Sequence, residues 1–338
     1  MTKDLLTLKD LRVTYGGKSL LGFRAPGFEA VKGATLTIQA GETLGLVGES
    51  GSGKSSIANA VLGLVPASGG TMNFDGTDLA ALETQYPPDV RRKIQAVFQD
   101  PYSSLNPSMT VEQIVTEPLR IHTAMTRAQR HARAIELLGL VNLPETHLPR
   151  YPNEFSGGQR QRIAIAAALA LQPRLIVLDE PVSALDVSTQ NQIINLLYER
   201  RDALGMAYLL IAHDLALVHH ISDRIAVMYL GHIVEEGPAD RVYHQPAHPY
   251  TKALLEAVPL LDPARQRARR TDRRAAPVSD LPRDAQAGCP YRNRCAFAMA
   301  RCHTQVPPPL PAWDGGTARC FLLEDTPAGV SAKTEALT

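Results

Sequence analysis

The stretch GESGSGKS, Gly48 to Ser55, constrains this chain more than any other. It fits G-x-x-x-x-G-K-[ST] and lies between an apolar run, LGLVG, and a segment with helical spacing, KSSIANAVLGL. A loop of that composition turns its backbone N–H groups inward around phosphate oxygens, where a Cβ would collide. The strand–loop–helix context predicts an α/β protein with a phosphate-bearing ligand at a strand's carboxyl end. Lys54 is expected on the β and γ phosphates and Ser55 on Mg²⁺. Gly48, Ser50, Gly51, Ser52, Gly53 and Ser56 complete the cradle at the helix N-terminus.

The rest of the chain fits that core. RLIVLD at 174–179 and MAYLLIAHD at 206–214 read as buried strands around the helix QNQIINLLYERRDAL, an alternation typical of a parallel sheet. Asp179 and Glu180 end the first of these strands, which suits Asp179 to Mg²⁺ and Glu180 to polarising an attacking water. Residues 1–47 alternate apolar and polar positions, which predicts strands broken at Gly16-Gly17, Gly33 and Gly41. From about 84 to 160 the chain reads as helical and polar, VRRKIQ included, and suggests an inserted helical part. RIAVMYLGHIVEEG reads as a hairpin turning at Leu230-Gly231 that closes the compact region.

Composition narrows the classes. A length of 338 residues holds one large α/β domain with an appendage, and 35 Lys and Arg against 34 Asp and Glu argue against a nucleic-acid-coating surface. The longest apolar run, IAIAAALAL at 163–171, is less than half of the roughly 20 residues a membrane-spanning helix needs. The charged N-terminus lacks a secretory pattern, so a cytoplasmic location is expected. Six arginines between 265 and 274 read as a solvated linker, and PPPLP at 307–311 as a stiff spacer.

A second phosphate-seeking element is FSGGQRQR at 155–162, where Ser156, Gly157, Gly158 and Gln159 open a helix with uncovered N–H groups. With it the sequence resembles the ATP-binding cassette (ABC) family, whose signature reads close to LSGGQ. Other family elements follow in order. Gln99 in VFQDP matches the Q-loop, where it also approaches Mg²⁺; Asp186 in SALD matches the D-loop; His213 in IAHD matches the switch histidine. Tyr15 is the expected adenine-stacking aromatic. FQDPYSSLNPSMTVEQIVTEPL and GPADRVYHQPAHPYTKALLEAVP are similar to the ATPase subunits of oligopeptide and dipeptide importers, a group that also serves nickel and glutathione. Asn153, where many relatives carry histidine, is a departure beside the signature.

That resemblance implies a P-loop NTPase (RecA-like) core with an antiparallel β subdomain, an inserted helical signature subdomain at about 84–165, and a cysteine-bearing C-terminal extension. It divides the chain into a nucleotide-binding domain, 1–250, and an extension, 251–338. The implied function is ATP hydrolysis driving import of di- and oligopeptides, from the cytoplasmic side of the cell membrane. The implied partners are a second ABC ATPase, identical or homologous, two membrane permease subunits and, indirectly, an extracytoplasmic solute-binding protein, with no nucleic acid. Nickel, glutathione or another small solute is the alternative cargo. A soluble ABC ATPase acting on ribosomes or nucleic acid is the alternative of another class, disfavoured by a single cassette, and an iron–sulfur electron carrier is disfavoured by the complete ATPase set.

Cys289, Cys295, Cys302 and Cys320 are all the cysteines of the chain, gathered in its tail. None of their spacings gives the CxxC knuckle of most zinc sites. Four thiolates are the usual ligands of a [4Fe-4S] cluster, and the resemblance to the extension of peptide-importer ATPases implies that cofactor. Zinc, free thiols and disulfides remain open alternatives.

Overall fold

The computed structural model describes residues 4–16, 27–257 and 287–324. The arginine run at 265–274 and most of the glycine-rich stretch after Tyr15 lie outside them. In chain order the strands are β1 (Asp4–Tyr15), β2 (Phe28–Gln39), β3 (Thr43–Val47), β4 (Gly69–Phe74), β5 (Thr77–Asp78), β6 (Ile94–Val97), β7 (Leu175–Asp179), β8 (Ala207–Ala212), β9 (Arg224–Tyr229), β10 (His232–Pro238), β11 (Leu310–Trp313) and β12 (Gly316–Ala318). One antiparallel sheet runs β2-β1-β4-β5, and a larger one runs β11-β12-β10-β9-β3-β8-β7-β6.

The five strands from β9 to β6 are parallel, and alternation across two buried faces explains their apolar sequences. Leu175 and Val177 of β7, with Leu209 and Ile211 of β8, join Leu6, Leu8, Leu11 and Phe74 in a core under the antiparallel sheet. Ile176, Leu178, Tyr208 and Leu210 face the other way, into a core shared with the helical part. That part holds the helices Val111–His122, Arg127–Leu140 and Gly157–Leu169. Each starts with a reciprocal capping box, Thr110/Gln113, Thr126/Gln129 and Ser156/Gln159, so the same four-residue spacing sets all three entries.

Four readings of the sequence are corrected. VRRKIQ is not wholly helical: the helix Pro88–Lys93 ends at Ile94, which opens β6 and pairs in parallel with Leu175 of β7. Gly33 does not end a strand but sits inside β2 at φ 83°, where the pairing with β1 shifts register around Asp10 and Leu11. A bulge, rather than a break, uses its positive φ. The β9–β10 hairpin does turn at Leu230 and Gly231, both at positive φ, yet it does not close the compact region. β12 pairs with β10 through Glu235–Ala318 and Glu236–Thr317, and β11 adds an outer edge. The prolines read as a spacer thus lead into an edge strand, where a missing N–H is tolerated.

Candidate functional site

The parallel sheet places its chemistry on one rim. Gly48 follows β3, Gln99 lies just beyond β6, Asp179 and Glu180 end β7, and His213 follows β8. These are carboxyl ends of parallel strands, where an open α/β sheet binds ligands. Gly53 caps the helix Lys54–Val61 at φ 110°, and a Cβ there would overlap the carbonyl of Ala30. Only glycine lets the loop press that close to β2.

Lys54 is buried and its Nζ donates to the carbonyls of Gly48 at 2.8 Å and Glu49 at 2.9 Å, which folds the loop around its own lysine. Burial lowers its pKa, and the charges of Glu180, Asp179 and Glu49 oppose that shift. Ser55 Oγ donates to Asp179 Oδ1 at 3.4 Å. Burial raises the Asp179 pKa and neighbouring Glu180 adds to it, against the Ser55 hydrogen bond and Lys54. A cation between Ser55 and Asp179 would relieve that cost, and two oxygen donors suit a hard ion such as Mg²⁺.

Glu180 is reached from two strands. Gln99 Nε2 donates to its Oε2 at 3.0 Å, and His213 Nδ1 lies 3.4 Å from Oε1. Its backbone has φ 47°, unusual for a side chain of this size, and its N–H donates to the carbonyl of Ile211 at 2.9 Å. Glu180 and His213 also line a cavity of about 70 Å³ with Ser183, Gln190 and Leu217. Tyr15 ends β1 beside the phosphate loop, its hydroxyl donating to Ser56 Oγ at 3.2 Å with the ring partly exposed.

The other expected residues stand apart. Ser156 Oγ accepts from the Gln159 N–H at 3.3 Å, and Gln159 Oε1 accepts from the Ser156 N–H at 3.1 Å. Among the described residues none of these bonds reaches the loop from Gly48 to Ser56. Gly158 has a packing reason: a methyl there would overlap Thr189 Cγ2 on the helix Val187–Leu204. Asp186 caps that helix, accepting from the Thr189 N–H at 3.0 Å and Oγ1 at 2.8 Å. Those hydrogen bonds lower its pKa, the backbone one most.

Sequence reasoning missed a set of contacts behind the loop. Arg294 Nη1 bridges both oxygens of the Glu49 carboxylate at 2.9 and 3.0 Å, across 245 positions of sequence. The Glu49 N–H donates to Tyr250 Oη at 2.9 Å. Tyr229, Tyr250 and Tyr291 pack with ring centroids 4.5 to 5.4 Å apart. The signal was only the proximity of Arg294 to cysteines, which points to the tail and not to the loop.

The four cysteines converge, with Tyr291, Met299 and Phe321, on one small cavity. Its volume of about 10 Å³ has room for about one water. Burial pushes the Cys320 thiol up to about 11 and also raises Cys289 and Cys295, so the protonated, apolar form is favoured. No three of these thiols come within 4.8 Å of one another; among the described residues only His219, Asp240 and His244 meet that limit, exposed and elsewhere.

Comparison with known proteins places the arrangement. Residues 31–183 match the family model for ABC transporters, and residues 234–302 match the oligopeptide/dipeptide transporter C-terminal region. The oligopeptide transport ATP-binding protein OppF of Salmonella typhimurium is 47% identical over 304 residues, 89% of this chain and 91% of that one. The dipeptide transport ATP-binding protein DppF of Escherichia coli is 41% identical over 328 residues, 96% of each chain. The dimeric, post-hydrolysis structure of the ATP-binding cassette MJ0796 bound to ADP and Pi superposes with a TM-score of 0.60 at 32% identity, covering 70% of this chain and 99% of that one.

These relatives are ordinary transport ATPases, which overturns the [4Fe-4S] expectation for Cys289, Cys295, Cys302 and Cys320. No three of the thiols come within 4.8 Å of one another, too spread for a single zinc, and burial of Cys289, Cys295 and Cys320 favours the protonated thiol over the thiolate that a metal needs. In this arrangement the cysteines are small buried side chains packing a tail with little core of its own. By sequence, by fold and by the strand-end chemistry, the chain belongs to the ABC transporter family, in its oligopeptide/dipeptide branch.

Proposed function

We propose that this chain is the ATP-hydrolysing subunit of an importer of di- and oligopeptides. The observation that carries the reading is the convergence of Lys54, Ser55, Gln99, Asp179, Glu180 and His213 on one rim of the parallel sheet. The peptide-transporter match over 234–302 and the names of OppF and DppF favour peptides over nickel, glutathione or another solute.

The roles follow from position. Lys54 and the loop from Gly48 to Ser56 hold the phosphates, and Tyr15 stacks on adenine. Ser55, Asp179 and Gln99 hold Mg²⁺, which when bound offsets phosphate charge. Glu180 takes the proton of the attacking water, while Gln99 and His213 fix its two oxygens. Ser156 to Gln159 and Asp186 belong to the site of a facing ATPase subunit, identical or homologous, because among the described residues none of their hydrogen bonds reaches the loop. Residues 1–250 form the ATPase part, with the helical subdomain at about 84–165, and 251–338 the extension. Among the described residues no helix is long and apolar enough to cross a membrane. The likeness to peptide-transport ATP-binding proteins supports two separate permease subunits as the path, with the ATPases on the cytoplasmic face and a solute-binding protein on the other.

The test is ATP-driven uptake into proteoliposomes carrying the assembled complex, with its binding protein and labelled di- and tripeptides, nickel or glutathione. Peptide uptake that stops when Lys54→Ala abolishes ATP binding supports the reading. Uptake of nickel or glutathione alone would replace the cargo, and ATP turnover stimulated by nucleic acid would replace the class.

A further inference from the structure

The tail touches the ATP site at one charged point. Glu49 is the second residue of the phosphate loop and its carboxylate is one of the charges felt at Lys54, after burial and behind Glu180 and Asp179. An unpaired carboxylate at the mouth of a loop that must receive a polyanion opposes binding. Arg294, from the cysteine-bearing segment, spans both of its oxygens.

The tail is held in register for that contact. The guanidinium lies 5.9 Å from the Tyr229 ring centroid and 5.7 Å from that of Tyr291, within cation–π range. Tyr229 ends β9, the neighbour of β3, and Tyr250 Oη accepts the Glu49 N–H. Tyr250 is placed in turn by Glu235, which accepts from the N–H groups of Ala247 at 2.8 Å and His248 at 2.9 Å and from the Thr251 hydroxyl. The Cys289 N–H donates to the Cys302 carbonyl at 2.8 Å, closing the segment that carries Arg294.

We propose that Arg294 is a positioning residue for nucleotide: it neutralises Glu49 so that the phosphate loop accepts ATP, making ATP affinity depend on the docked C-terminal extension. The proposal rests on the ATP-site reading above. Arg294 touches neither phosphate nor attacking water, so its effect falls on affinity and leaves the chemical step unchanged. Because the ion pair is about half exposed, its effect is modest and sensitive to salt.

Isothermal titration of ATP into the full chain tests this with four proteins: native, Arg294→Gln, Glu49→Gln and the double variant. Arg294→Gln should weaken ATP about threefold to fivefold, with the deficit shrinking at high salt. The double variant should return to within about twofold of native, since the repelling carboxylate is gone. A double variant as weak as Arg294→Gln overturns the proposal, because a merely structural tie is not rescued by removing its second half. Unchanged affinity in Arg294→Gln overturns it as well. Should Arg294→Gln fail to fold, Glu49→Gln carries the test without altering the tail, and weaker ATP binding in that variant is the overturning result. Lys54→Ala serves as the reference: if it binds ATP normally, the ATP-site reading fails and not the coupling.

Discussion

At the scale of single residues the site is a set of carboxylates in unequal surroundings. Glu180 is gripped on both oxygens by Gln99 and His213, whereas Asp179 faces Ser55. Glu180→Gln keeps the size and loses the base, so turnover of the assembled complex should fall about 10² to 10⁴-fold while ATP binding survives. Steady-state hydrolysis near the native rate would remove Glu180 from the mechanism. Away from the site, burial pushes the Glu235 carboxyl up to about 7 and the His248 imidazole down to about 4. The folded state holds the Glu235 proton more tightly than the unfolded chain does. Its stabilising contribution is therefore complete below the ordinary carboxyl range and is lost as pH rises through about 7. His248 acts in the opposite sense, losing stability as pH falls from its ordinary range towards 4. Melting temperatures of native chain and Glu235→Gln across pH 5 to 8 separate the two. As pH rises from 5 to about 7 the native chain should lose stability relative to the variant, and an equal pH dependence in both would mean that another group sets it.

At the scale of elements, the loop was legible because its flanks were. An apolar strand and a helix on either side of GESGSGKS leave little freedom, and the strands ending in Asp179 and before His213 are continuous apolar runs. β6 was not legible: four residues, buried at both ends and half-buried between, follow directly on the helix Pro88–Lys93 and carry no period of their own. β11 and β12 were hidden in the same way, since β12 takes its form from β10 and β11 in turn from β12. The cysteines showed the opposite failure, a strong compositional signal that the packed thiols and the relatives do not support. Helix contacts also escape spacing rules. Gly158 reads as an N–H-exposing glycine, yet it is the contact with Thr189 that forbids a side chain. Gly158→Ala should cost about 1 to 3 kcal/mol by overpacking, and Thr189→Ala in the same chain should recover most of it. Denaturant unfolding checks this, and an equal loss in the double variant would locate the strain elsewhere.

At the scale of the whole molecule, two phosphate-seeking surfaces lie on one chain without meeting. The loop at Gly48–Ser56 sits on the sheet's rim, and Ser156 opens a helix of the separate helical part. That separation supports the proposed pairing with a facing ATPase subunit, and the cassette MJ0796 among the structural neighbours is itself dimeric. The long-range contacts that complete it, Arg294 with Glu49 and β12 with β10, join residues far apart in sequence and leave no local trace. The most direct measurement pairs ATP binding to the isolated chain with ATP hydrolysis by the assembled complex, for native protein and Ser156→Arg. A bulky cation at the opening of the helix Gly157–Leu169 should leave binding to the isolated chain within about twofold of native and reduce turnover of the complex at least tenfold. Loss of ATP binding in the isolated Ser156→Arg chain, or undiminished hydrolysis in its complex, would contradict a signature that works on the facing subunit's nucleotide.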